Sequence, residues 1–114
     1  IATDISLDEA PKLAEAFGGI CFPAHIDRES NGVISILGTF PKGPEFSCAE
    51  FHDSKKVDEY IETYELADKR IVINSDAHYL WDIKEKNDYI CLEEIEKGSE
   101  KAGEILIKHL RNEI

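Results

Sequence analysis

The sequence predicts an α/β fold with mainly parallel strands and flanking helices, and three observations predict it. Short apolar runs such as "RIVIN" at 70–74, rich in β-branched residues, alternate with segments whose apolar residues recur every three to four positions. Those helical segments begin at capping residues and several stop at glycine. Together they give the order helix, strand, helix, strand, helix, strand, strand, helix, as expected of parallel strands joined by crossover helices.

The first segment, "SLDEAPKLAEAFGG", sets Leu7, Ala10, Leu13, Ala14 and Phe17 on one helical face, and Gly18 and Gly19 end it. Ser6 and Glu9 have the spacing of a capping box. Asp8 is the preferred cap, because it places Pro11 in the first turn, where its missing N–H costs little. "ICFPAH" is then a short buried strand. In "RESNGVISILG", Ser30 or Asn31 caps a short helix burying Val33, Ile36 and Leu37, stopped by Gly38.

"TFPKGPEF" is a loop, since two prolines and a glycine break regular structure. "SCAEF" is the second strand. "DSKKVDEYIETYELADK" follows, a helix capped by Asp53 or Ser54 with Val57, Tyr60, Ile61 and Tyr64 inward. "RIVIN" is the third strand and "DYICLEEI" a fourth. The closing helix, "SEKAGEILIKHLRNEI", buries Ala102, Ile105, Leu106 and Leu110. The 114 residues are one domain's worth, with no repeat and no linker.

The net charge of −11 disfavours nonspecific binding to nucleic acid or to an anionic membrane. Apolar runs reach only about five residues, too short to span a bilayer. No signal peptide opens the chain, and its first residue is Ile1, so the segment is expected to come from a longer protein. Cys21, Cys48 and Cys91 are odd in number and form no CxxC pair, so all three are expected to be buried thiols in a cytoplasmic protein.

Chemistry concentrates at two strand ends. In "VINSDAHYL" an apolar run stops at Asp76 with His78 two residues on, and in "GGICFPAHIDR" another stops at His25, followed by Arg28. In parallel α/β folds ligands collect beyond the carboxyl ends of the strands. A carboxylate beside neutral imidazole suits a divalent ion. The alternative is an Asp that caps the loop and a His satisfied by a carbonyl. Arg28 is either a solvated charge or a fork of donors for phosphate.

"PAHIDR" and "SDAHYL", in this order, resemble the third and fourth conserved motifs of the PHP (polymerase and histidinol phosphatase) family. "CAEF" is similar to that family's "ALEI" strand, with Glu50 as the retained acid, and the resemblance spans about residues 5–83. It implies a metal-dependent phosphoesterase on a distorted (β/α)7 barrel, with zinc, manganese or iron activating a water. His25, Asp76 and His78 would then be metal ligands and catalytic residues, with Arg28 on the substrate phosphate. Glu50 would line the pocket.

The chain also departs from the family. Its four histidines, His25, His52, His78 and His109, include no His-x-His pair, and the second-motif histidine and a further acidic ligand have no counterpart. The expectation is therefore the C-terminal half of a PHP domain with its associated region, inactive alone and completed by the N-terminal half of its own parent protein. Its substrate would be a phosphorylated small molecule or nucleotide. A half-barrel also has reason to pair with a second copy.

His52 is expected to make a local contact with Asp53, the alternative being a fourth ligand; His109 is expected to be structural or solvated, and Trp81 to anchor its loop, the alternative being to pack over the site mouth. Two other readings are a non-catalytic half-barrel that binds a partner and an amidohydrolase-like metal enzyme, whose barrels also place histidine and aspartate at strand ends.

Overall fold

A computed structural model describes residues 3–92 and 101–114. These form α1 (Glu9–Ala16), α2 (Val33–Leu37), β1 (Cys48–Phe51), α3 (Val57–Tyr64), β2 (Arg70–Ile73) and α4 (Ala102–Leu110), with 3-10 turns at Ser54–Lys56 and Leu80–Asp82. The fold is α/β with parallel strands: β1 pairs with β2, Cys48 opposite Arg70 and Phe51 opposite Ile73. A parallel pair requires a crossover, and α3 supplies it. Asp53 starts that crossover as expected, its Oδ1 accepting the Lys55 N–H at 3.0 Å.

The other side of β1 holds the segment read as the first strand, but "ICFPAH" is not a regular strand. The Glu50 N–H donates to the Pro23 carbonyl at 3.0 Å, and the Glu50 carbonyl accepts from Ile26 N–H at 2.9 Å. A regular parallel ladder would return at residue 25, so one extra residue is inserted. That residue is His25, at φ +32°. Its N–H goes to the Glu50 side chain at 3.1 Å instead of the ladder. The bulge, together with the missing N–H of Pro23, breaks the pairing.

The core lies between β1, α2 and α3. Ile26, Ile34, Phe40, Phe46, Ala49, Phe51 and Leu66 are buried together, and Val57, Tyr60, Ile61 and Tyr64 of α3 pack on them as the spacing predicts. Phe51 meets Tyr60 edge to face at 5.5 Å. The "TFPKGPEF" loop has no regular structure, as expected, yet its two ends, Phe40 and Phe46, are core residues in edge contact at 6.3 Å. Aromatic burial at both ends fixes a segment that backbone propensity leaves undefined.

Several helical expectations need correction. α1 begins after Asp8 and keeps Pro11 in its first turn, but Asp8 makes no capping bond. The Ser6–Glu9 box forms instead: Glu9 accepts the Ser6 N–H at 2.9 Å, and Ser6 Oγ accepts the Glu9 N–H at 3.2 Å. The Ser6 backbone N–H, with a smaller part from the Ser6 side chain, holds the Glu9 carboxyl below its ordinary range. The apolar face of α1 is not buried among the described residues, with Leu7, Leu13 and Phe17 all exposed.

α2 is capped by Gly32 rather than by Ser30 or Asn31; Val33 packs on the core as expected, but the buried residue is Ile34, while Ile36 and Leu37 face outward. The cap fits there because Gly32 has no Cβ: one would come within 3.1 Å of the His25 carbonyl and 3.2 Å of the Arg28 carbonyl. Gly38 ends α2 as expected, at φ +76°. Leu110 of α4 is buried, Ile105 and Leu106 are half-buried, and Ala102 is exposed. Residues 88–92 of the predicted fourth strand are not in a strand, and residues 93–95 lie outside the described residues. No helix among the described residues is long and apolar enough to cross a membrane.

The cysteines also differ from expectation. Cys48 is buried in β1, but Cys21 is half-buried and Cys91 exposed, and none forms a disulfide. Burial pushes the Cys48 thiol up to about 12. Thiolate is the reactive form. Near pH 8 a soluble thiol reagent should therefore label Cys91 and leave Cys48 untouched until denaturant is added. Native labelling of Cys48, read by peptide mass mapping, would show that β1 opens readily.

Candidate functional site

Parallel pairing sends the carboxyl ends of β1, β2 and the 20–26 segment to the same side of the sheet, and the residues that follow each end meet there. Asp76 is at the centre. Its Oδ2 lies 3.3 Å from Arg28 Nη1 and 3.9 Å from His25 Nε2, and its Oδ1 lies 4.0 Å from His78 Nδ1. The structure thus brings His25, Arg28, Asp76 and His78 together from two distant stretches of sequence.

Two of these residues have unusual backbones. Asp76 sits at φ +50° and His25 at φ +32°, in the left-handed region. For non-glycine residues that costs on the order of 1 kcal/mol each, and such strain collects where side-chain direction matters more than backbone comfort. Short polar side chains tolerate it best, which suits an aspartate at 76.

The strand ends are tied together by carboxylates. Glu50 accepts the His25 N–H at one oxygen and the Asn74 amide at the other, 3.2 Å away, so it bridges both neighbours of β1. Asp27 is only 3% exposed and accepts the N–H groups of His52 and Asp53, each at 2.8 Å. Those bonds clamp the loop after β1 to the turn that carries His25 and Arg28. Asp27 was missed by sequence reasoning, although its signal, an acid between Ile26 and Arg28 at a strand tip, was there to read.

His78 is exposed, and its Nδ1 lies 2.8 Å from the Asp76 carbonyl. A carbonyl only accepts, so Nδ1 is the donor in this contact. This contact was set out above as the alternative to ligation, but it is also how metal-bound histidines are commonly oriented. Among the described residues, the buried His25 Nδ1 has no hydrogen-bond partner, and the same holds for His52 Nδ1.

The expected His52–Asp53 contact is replaced by the shared bonds to Asp27. His52 instead borders an open cavity of about 500 Å³ whose lining includes Arg28, Asp76, His78, Tyr79 and Lys84. Trp81 is not a buried anchor: it is 80% exposed and stacks on Tyr79. His109 is half-buried on α4 and does not line this cavity.

The donor set fits a divalent ion in kind but not in number. Two imidazoles and a carboxylate are suitable ligands. Yet no group of three or more His, Cys, Asp or Glu among the described residues is placed to hold an ion, and Arg28 occupies the near side of Asp76 Oδ2. The cluster has the composition of part of a ligand shell.

A second cavity, about 350 Å³, is bordered by Ser47, Lys69 and Arg111. Its cations are committed: Lys69 pairs with Asp68 at 3.1 Å, and Arg111 donates to the Gly19 carbonyl at 2.6 Å. The chemistry therefore points to the cavity around Asp76. Comparison with protein-family models, with curated proteins and with solved structures returns no match.

Proposed function

We propose that this chain is the C-terminal portion of a PHP-type metal-dependent phosphoesterase, contributing part of a site that upstream residues complete. The observation that carries this reading is the convergence of the "PAHIDR" and "SDAHYL" motifs on Asp76, with Arg28 at 3.3 Å and both histidines within 4.0 Å. His25, Asp76 and His78 would hold the metal, and Arg28 would orient a phosphate through its planar donors. A bound divalent ion supplies an acidified water and charge stabilisation for phosphoester hydrolysis.

The shortage of ligands supports a divided site rather than a complete one. The test is metal content by plasma mass spectrometry, run with phosphomonoester and phosphodiester hydrolysis assays, on this chain and on its longer parent. The expected result is two or more ions and turnover in the parent, with at most one weakly held ion and no turnover here. Several ions and activity in this chain alone would overturn the divided site. Metal-free protein in both forms would overturn the phosphoesterase reading and leave a binding module.

A further inference from the structure

We propose that two copies of this chain associate through α1 and α4, each inserting Phe17 into a cavity beside α4 of the other. The inference stands apart from the phosphoester reading.

The knob and the hole lie on one face of the molecule. Phe17, at the end of α1, is 85% exposed, and Leu13 one turn before it is exposed as well. A cavity of about 350 Å³ opens beside them, its border including Gly18, Gly103, Glu104 and Ile107. Gly18 directly follows Phe17, yet Phe17 itself does not line the cavity. A hole next to an unused ring makes that surface complementary to itself. Under a two-fold axis each Phe17 reaches the other copy's cavity, so one contact fills both holes. A cavity of about 150 Å³ is enough to hold benzene, so this one admits a phenyl ring.

Gly103 supports the close approach. It stands inside α4, where alanine would favour the helix more. A Cβ there would meet nothing within 4 Å among the described residues, so internal packing does not call for a glycine. A ring entering from outside does, because the bare backbone forms part of the cavity wall.

The rim carries matching charge. Lys12 on α1 and Glu104 on α4 are both exposed, and neither makes an ion pair among the described residues. Arg111, which also borders the cavity, is already held by the Gly19 carbonyl and Glu113. Lys12 lies about one and a half turns from Phe17. A seated ring therefore leaves Lys12 of each copy within a lysine's reach of the other copy's Glu104. The net charge of −11 on each copy opposes association, so the apolar insertion supplies most of the affinity.

Sedimentation equilibrium on this chain, from about 1 to about 300 μM, tests the contact. The mass should rise towards twice 12.9 kDa, with a Kd in the micromolar range. Phe17→Ala and Gly103→Leu should each weaken the dimer at least about tenfold, the first by removing the ring and the second by filling its seat. Phe17 is exposed in the single chain, and leucine is a better helix former than glycine, so both variants should keep the fold by circular dichroism. Lys12→Glu should weaken the dimer, and adding Glu104→Lys should restore it.

A single-chain mass at every concentration would overturn the proposal. So would a dimer that keeps its affinity in Phe17→Ala or in Gly103→Leu, since the contact would then lie elsewhere. A charge-swapped double variant no tighter than Lys12→Glu alone would overturn the pairing of α1 with the α4 rim.

Discussion

Asp76→Asn is expected to lower zinc affinity by about two orders of magnitude, taking a weak site to no measurable binding, while the fold survives. Asp76 is the one carboxylate that His25, Arg28 and His78 all approach. Removing its charge leaves two imidazoles and a guanidinium, a set with no negative charge to hold a cation. A hundredfold loss corresponds to about 2.7 kcal/mol.

Asparagine isolates the charge. It has the same shape and tolerates the left-handed backbone that residue 76 adopts at φ +50°. The Arg28 ion pair is partly exposed, 39% on the arginine side, so its loss should change stability by less than about 1 kcal/mol. Competition with a chromophoric chelator reads the affinity. Unchanged zinc binding in the variant would mean that Asp76 serves only to hold Arg28.

Residue type and order revealed much of this site, and geometry revealed the rest. The β1–α3–β2 unit was legible because β-branched runs and three-to-four spacing are local signals, and both motifs fall at the ends that a parallel sheet brings together. The exposed face of α1 was not legible: periodicity shows that Leu7, Leu13 and Phe17 share a side but not whether anything covers it.

The bulge at His25 was hidden for a different reason. It depends on Glu50, far along the chain, accepting the N–H that the ladder leaves over. Asp27 escaped for the same cause, since its role lies in partners that no local pattern names. The short helix α2 was legible only in part: Val33 packs on the core as read, but Ile34 is buried in place of Ile36 and Leu37, because a helix of little more than one turn has too few residues for periodicity to choose its inner side.

Asp27→Ala is expected to cost about 3–4 kcal/mol of folding stability, although Asp27 is not among the residues proposed to hold metal or phosphate. Its carboxylate is 3% exposed and takes two N–H groups, each at 2.8 Å. Hydrogen bonds to a charged partner contribute about 1.5–3 kcal/mol apiece, and alanine would leave both donors without an acceptor. Asp27→Asn should lose about half as much, because one amide oxygen can still accept while the NH2 opposes the second N–H.

Urea denaturation of the three proteins reads this order directly. A loss below about 1 kcal/mol in the alanine variant would show that water or a relaxed loop satisfies His52 and Asp53 instead. The asparagine variant carries the functional consequence. Asp27 joins the turn bearing His25 and Arg28 to the loop bearing His52, so loosening it should weaken zinc binding without removing any proposed ligand. A variant that lost stability but kept full zinc affinity would place the clamp outside the site's positioning machinery.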